Sequence, residues 1–419
     1  MANSLSLILL PLLCLPFYLS VIFDSIPYFR GPAPWPPEWQ WPYLPTAITP
    51  MVLAISICII FIYLLALHQT RLRLISLILL STLTPIILVL QSRAGLGVLI
   101  RRIIHPDLNG HFTAALSQSN PFTLLSHYPN LVQAFYMHAH GHPPGTTLIY
   151  QTLIRLSADQ TQAVFLILAF TLITQIATSI LMYQTLKSYT KSAYGISLLW
   201  VLTPAVNLFI PLPDLLYSFL SLLFLYLLIN RHFLLAGTTF YLSLFFSLST
   251  LPALLLFFCL SLFSPSTYSL LPLTRIHLRS LMLGFFLPFL FFSLLDYNFG
   301  ATLYVVLHTQ TARSYGLWLL PNLLDFMIYS GLPLWFFLFA TFKRLKTKIP
   351  LLLLISTLTL LTLSGFSRSE AGRIWLPLMP ALFICLGTLP QMSSRITSLL
   401  ILLLSTHTIL LNLFWVSLW

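Results

Sequence analysis

Long apolar runs separated by short polar breaks make up most of the chain. The stretches 5–23, 49–67, 74–92, 161–184, 193–211, 317–341, 349–365, 374–390 and 397–417 each approach the roughly 20 apolar residues that one helical crossing of a bilayer requires. Shorter or tightly joined runs occupy 214–230, 233–249, 252–264 and 282–296. The pattern predicts an all-α fold, a polytopic transmembrane helical bundle of about thirteen spans. Two breaks are much longer than the others, 24–48 and 93–160. Within the second, the apolar segment 144–157 is too short to cross, so it is expected to lie in the interface as a helix. The organisation that follows is an N-terminal transmembrane hairpin with a Pro/Trp-rich outer loop over 1–73, a core over 74–390 that contains the loop 93–160, and a C-terminal helix over 391–419.

Composition makes lipid the solvent of this pattern. Apolar residues are 58% of the 419, charged residues only 7%, and the mean hydropathy is +0.93. A water-soluble chain carries about 25% charged residues, and this one has too few to cover a wetted surface. The net charge of +12 does not point to nucleic acid. Its only dense basic run, Lys343, Arg344, Lys346 and Lys348, lies between two apolar stretches, as a cytoplasmic loop does. Cys14, Cys58, Cys259 and Cys385 all fall inside apolar runs, which spells neither a disulfide framework nor a thiolate metal site. The first 23 residues lack a basic start and a small-residue cleavage site, so they read as a retained first span.

Charge then sets the sides. Lys and Arg favour cytoplasmic loops. Placing Arg71/Arg73, Lys187/Lys191, Arg231, Arg275/Arg279, the 343–348 run and Arg395 inside lets the spans alternate, provided 144–157 does not cross. The N-terminus is then cytoplasmic. All eight acidic residues (Asp24, Glu38, Asp107, Asp159, Asp214, Asp296, Asp325 and Glu370) fall at the outer side or in the outer third of a span, and all five lysines fall inside. The basic residues left outside are arginines, among them Arg30, Arg93, Arg313, Arg368 and Arg373. Arginine's fork of donors suits phosphate and carboxylate, so the outer face is the expected seat of chemistry.

Candidate residues follow from that face. The first loop, FDSIPYFRGPAPWPPEWQWPYLP, reads as a stiff interfacial plug, because indoles sit at headgroup depth. The second holds six of the eleven histidines and the acid Asp107. Three of those histidines alternate in HAHGH, which on an extended strand would turn imidazoles to one side, as a metal site would need; the plainer account is interfacial histidine. Asp214, in IPLPDLL, either caps the helix that follows or serves a site. In GFSRSEAGRIW, Glu370 and Arg373 are spaced to pair with each other. Alternatively, Arg373 holds a lipid-linked phosphate at headgroup level.

The stretch PDLNGHFTAAL…NPF…HPPGTTLIYQTLIRL resembles the first outer loop of polytopic glycosyltransferases with the GT-C fold, in the branch of protein O-mannosyltransferases and lipid A aminoarabinose transferases. TPAVNLFIPLPDLLYSFLSLLFLYLL is similar to that family's second acidic site, and GRIWLPLMPALFICLG to its late span after an arginine. The resemblance covers roughly residues 85–390. It implies a transferase that takes a sugar from a polyprenyl-phosphate donor in the bilayer and passes it to an acceptor outside. Asp107 would be the catalytic base and Asp214 a second acidic position. His142, Pro143 and Pro144 would be the loop scaffold, and Arg373, with Arg313 or Arg368, the phosphate binder. A divalent metal, if the reaction uses one, would draw on Asp107, Asp214, His138 and His140.

A transporter or flippase of a lipid-linked or anionic substrate is the alternative, with the break at Leu251-Pro252 as its discontinuous span. A histidine-box metalloenzyme would spread its histidines over several boxes, whereas here they crowd into one loop.

Overall fold

The structure, a computed structural model, describes residues 4–26, 45–69, 71–92, 95–118, 120–262, 274–308, 314–367 and 370–415. Regular structure among them is helical, with 23 α-helices and short 3₁₀ turns at several joints. Among the described residues, five helices are long and apolar enough to cross a membrane: Pro50–His68, Arg73–Gln91, Gln160–Lys187, Arg275–Leu294 and Ser394–Phe414. The pair Tyr315–Ser330 and Leu332–Ala340 makes a sixth if its two arms count as one span. The chain is an integral, multi-pass membrane protein.

The expectation of about thirteen spans is corrected to five or six. Among the described residues, most of the other apolar helices are only 10–17 residues long. At about 1.5 Å per residue, an 11-residue helix such as Leu251–Ser261 falls well short of a ~30 Å hydrocarbon core. Counting apolar residues missed the places where the helix stops. The run 193–211 breaks at Thr203, held extended at ψ 131° before Pro204, because proline's ring excludes α geometry from the residue before it. The run 317–341 breaks at Gly331, whose φ of 105° suits no other residue type well, and the two arms meet at 96°. The run 374–390 becomes Ala371–Ile374, a 3₁₀ turn holding Pro377, and Met379–Gly387.

The chain forms two compact units. The first comprises Met1–Leu96, Gln175–Ile210 and Arg313–Leu418, and the second Gly97–Thr174 and Pro211–Ala312.

Inside the first unit, each broken helix frees carbonyl oxygens that lipid cannot hydrogen-bond. Side chains from elsewhere meet them. Asn207 Nδ2 donates to the carbonyls of Val201 (2.7 Å) and Thr203 (3.0 Å). The Thr408 hydroxyl donates to the carbonyl of Leu202 at 2.6 Å, between those two. One residue earlier on the same helix, His407 Nε2 lies 2.8 Å from the carbonyl of Ile328, just before the Gly331 turn. Asn412 Nδ2 reaches the carbonyl of Leu88 at 2.7 Å. Helix Ser394–Phe414, at 67% the most buried of the five spans, thus serves three other helices from one end.

In the second unit, helices Phe233–Phe246 and Arg275–Leu294 pack backbone against backbone. A Cβ on Gly237 would strike the carbonyl oxygen of Leu281, and one on Gly284 that of Leu234. Small residues at such crossings let helices approach closely in lipid, and the Thr238 hydroxyl donates to the Gly284 carbonyl at 3.1 Å. The outer face of Arg275–Leu294 presents Leu283, Leu287, Leu290, Phe291 and Leu294, all exposed, as lipid requires. Behind these helices, Tyr241, Phe245, Phe292, Tyr297 and Phe299 form an aromatic core, with Phe245 and Phe292 stacked at 4.2 Å.

Replacing Asn207 with Leu keeps the branched shape of the side chain but strips two carbonyls of their donor. A loss of about 1–3 kcal/mol is expected for buried groups left unsatisfied, read as a lower apparent Tm of the purified protein in detergent. An unchanged Tm would mean that the break is already solvated by other means.

Candidate functional site

Helices Gly97–Ile104, His111–Ser117, Pro121–Ser126, Tyr128–Leu131, Met137–His140 and Gly145–Arg155 build the loop that leads to helix Gln160–Lys187. The last, 11 residues long, is the segment expected to lie in the interface. Between the first two, the amides of Leu108 and Asn109 bond to the carbonyl of His105 at 3.1 and 3.2 Å, closing a turn. Asp107 rides on that turn with its side chain 73% exposed, its Oδ2 3.8 Å from His105 Nδ1.

Beside this turn lies a buried polar bed. Asn109 Nδ2 donates to the Tyr150 hydroxyl at 2.9 Å, and His111 Nδ1 is 3.1 Å from the Thr147 hydroxyl. The His111 ring lies 5.5 Å from that of His142 and 6.0 Å from that of Tyr150. His142 stacks on Tyr217 at 5.6 Å, and the Tyr217 hydroxyl pairs with that of Thr146 at 2.8 Å. The Tyr128 hydroxyl donates to the carbonyl of His142 at 2.7 Å. Pro143 and Pro144 are buried and deliver the chain into helix Gly145–Arg155. The third residue of that PPG turn is tight as well, since a Cβ on Gly145 would lie 2.7 Å from the Phe245 carbonyl.

Asp214 opens helix Asp214–Ile229 and is buried at 7% exposure, with its charge favoured in the first helical turn. It also acts on Tyr150. Burial lifts the Tyr150 phenol well above its ordinary range, the Asn109 bond opposes this, and the Asp214 carboxylate adds to the rise. Tyr150 therefore stays a neutral hydroxyl at any physiological pH. Two acids of one unit thus have opposite settings, Asp107 in water and Asp214 within protein.

The alternating histidines do not lie on a strand. Met137–His140 is one helical turn and not an extended strand, so His138 and His140, two residues apart, point to opposite sides. Among the described residues no group of three or more His, Cys, Asp and Glu side chains converges on a point where an ion could sit. Asp107, Asp214, His138 and His140 do not form a ligand set.

The first unit holds the arginine. Arg373 Nη2 meets Glu370 Oε2 at 2.7 Å, both side chains 6% exposed. Glu370 has a left-handed backbone, φ 56°, and precedes the short helix Ala371–Ile374. Helix Tyr315–Ser330 holds this loop along one stripe. Asn322 Nδ2 donates to the carbonyl of Ser367 at 2.7 Å, Asp325 Oδ2 accepts the amide of Gly372 at 2.6 Å, and Tyr329 packs on Gly372 so closely that a Cβ there would lie 2.6 Å from the ring. The spacing i, i+3, i+7 puts all three on one helical face. Arg313 and Arg368 lie outside the described residues, as do Arg30, Glu38 and Arg93.

Reading the sequence for chemistry missed Asn109, His111, Thr146, Thr147, Tyr150 and Tyr217, and the Asn322–Asp325–Tyr329 stripe. The signal was present in both cases, as polar residues at helical spacing within apolar segments.

No family model matches the chain, and neither a curated protein nor a solved structure does.

Asp325→Ala removes a charge-assisted bond to a buried amide. It is expected to cost roughly 1–3 kcal/mol and to open the 367–373 loop to limited proteolysis. Asp325→Asn keeps an acceptor and should leave the loop resistant; equal cleavage of both variants would show that the carboxylate shape is not what holds it.

Proposed function

We propose that the chain is a membrane glycosyltransferase moving a sugar from a polyprenyl-phosphate donor to an acceptor hydroxyl on the non-cytoplasmic face. One observation carries this reading. The two stretches that resemble GT-C enzymes, PDLNGH and HPPG, fold onto each other through His111 and His142, 5.5 Å apart, and leave Asp107 exposed beside an imidazole.

The chemistry assigns a role to each group. As the acceptor oxygen attacks the anomeric carbon, its proton passes to the Asp107 carboxylate. The bond from that carbon to the phosphate oxygen breaks, and its electron pair leaves with the polyprenyl phosphate. General-base help of this kind is worth about 10²–10⁴-fold. The phosphate's growing charge calls for a fixed cation. Arg373, aimed by Glu370, is our assignment, with Arg313 or Arg368 as the further candidates that the resemblance implies. Asp214 is the second acidic position, acting on Tyr150 from within the protein. Among the described residues no ligand set fits a metal ion, so no step runs through one.

The expected result for Asp107→Asn is a loss of transfer of about 10²–10⁴-fold with normal expression and membrane insertion, because an exposed side chain contributes little to packing. The assay is loss of label from radiolabelled polyprenyl-phosphate sugars incubated with purified protein, and full activity in the variant would remove Asp107 from the mechanism. Orientation has its own check. A cysteine at position 107 should react with an impermeant maleimide from outside, and one at position 231 only after permeabilisation. The opposite pattern would place Asp107 on the cytoplasmic side.

The transporter reading keeps a specific support, although not at Leu251-Pro252. Tyr315–Ser330 and Leu332–Ala340 form a span broken by 96°, in the same unit as the buried Asp325, Glu370 and Arg373, and discontinuous helices with buried charge are a transporter feature. Movement of intact donor across proteoliposomes without its consumption would decide for this reading.

A further inference from the structure

Helix Arg275–Leu294 ends beside an open surface pocket of about 300 Å³. Phe289, Tyr297 and Phe299 give it aromatic walls, and Ser293, Asp296 and Asn298 give it polar groups. The walls are rigid. Tyr297 and Phe299 meet edge to face at 6.4 Å, Phe289 and Phe299 likewise, and Phe245 braces Tyr297 from behind at 5.5 Å.

Asp296 is an unfavourable choice for this position on two counts. Its backbone is left-handed, φ 59°, just past a helix C-terminus, where glycine or asparagine is the usual residue. Its carboxylate also stands at the negative end of the helix dipole, where cations are preferred. Among the described residues nothing local offsets either cost. The start of helix Phe299–Leu307 is already capped by Asn298, whose Oδ1 accepts the Ala301 amide at 2.8 Å. Among the described residues, the Asp296 carboxylate makes no ion pair or hydrogen bond. Backbone strain and uncompensated charge kept at one spot are features of a binding position.

We infer that this pocket binds an alkylammonium group, with Asp296 as its counter-ion and the partly exposed rings of Phe289 and Phe299, braced by buried Tyr297, against its carbon substituents. Aromatic faces attract such cations, and the helix end adds negative potential. A bare divalent ion would need six or more oxygen ligands and finds a single carboxylate. A neutral polyol would draw on the rings but gain little from the charge. The site is separate from the transferase reading and does not depend on it. The ammonium belongs either to a free small amine or to a phospholipid headgroup.

The test uses the full chain in phosphatidylglycerol nanodiscs with radiolabelled choline. Saturable binding is expected, displaced by tetramethylammonium and not by 3,3-dimethylbutan-1-ol, which has the shape of choline without its charge. Asp296→Asn should weaken binding at least tenfold. Asp296→Gly should abolish it while keeping or raising the apparent Tm, because glycine relieves the left-handed backbone; this separates lost binding from lost folding. Repeating the titration in phosphatidylcholine nanodiscs identifies the source. Unchanged affinity there assigns a free amine, and loss of apparent affinity assigns the lipid headgroup. Equal displacement by the neutral alcohol, unaltered binding in Asp296→Asn, or no saturable binding to the wild-type chain would overturn the inference.

Discussion

A peptide carbonyl inside hydrocarbon has no water to turn to, and that constraint organises the first unit of this protein. Its helices do not all run unbroken; they stop at Thr203 and at Gly331. Each stop strands carbonyl oxygens, and each stranded oxygen described above is met by a side chain: Asn207 and Thr408 at the first break, His407 at the second. Because His407 and Thr408 are neighbours on one buried helix, the two breaks share a support. A broken helix in a membrane usually marks a place where something other than spanning is required, and here the same unit carries buried acids and an arginine.

The second unit answers the constraint differently. Its loop of short helices hides its polar side chains in a bed, in which Asn109 bonds Tyr150, His111 bonds Thr147 and Thr146 bonds Tyr217, while His142 stacks on Tyr217. Glycines at 145, 237 and 284 bring backbones so close that no side chain fits between them. The bed is therefore rigid, and a rigid bed lets a single exposed carboxylate be aimed. Asp107 needs no burial of its own to be positioned, because its turn is closed by backbone bonds and continues directly into Asn109.

The charged groups divide along the same lines. Asp214, Asp325, Glu370 and Arg373 are buried, where removing one partner of a pair costs far more than the pair itself contributes. Asp107 and Asp296 stand in solvent, where changing their charge disturbs packing little. Exposed carboxylates on rigid supports are suited to meeting ligands, whereas the buried ones hold loops and tune neighbours, as Asp325 holds Gly372 and Asp214 acts on Tyr150.

Hydropathy alone determined that this is an all-helical membrane protein, since a chain with 7% charged residues has only lipid for a solvent. Local spacing also determined the short helix after Pro144 and the Glu370–Arg373 pair, both of which depend on neighbours a few residues apart. The number of spans was not legible, because apolar content does not register where Pro204 or Gly331 ends a helix, and 10–17 residues of apolar helix look much like 20. The alternating histidines misled for a related reason: two residues apart means one side of a strand but opposite sides of a helix. Only the tertiary structure decided which polar residues share a site. His111 meets His142, and Asp325 meets Gly372, across 31 and 47 positions of sequence, and such contacts arise from how helices stack, which no local pattern encodes.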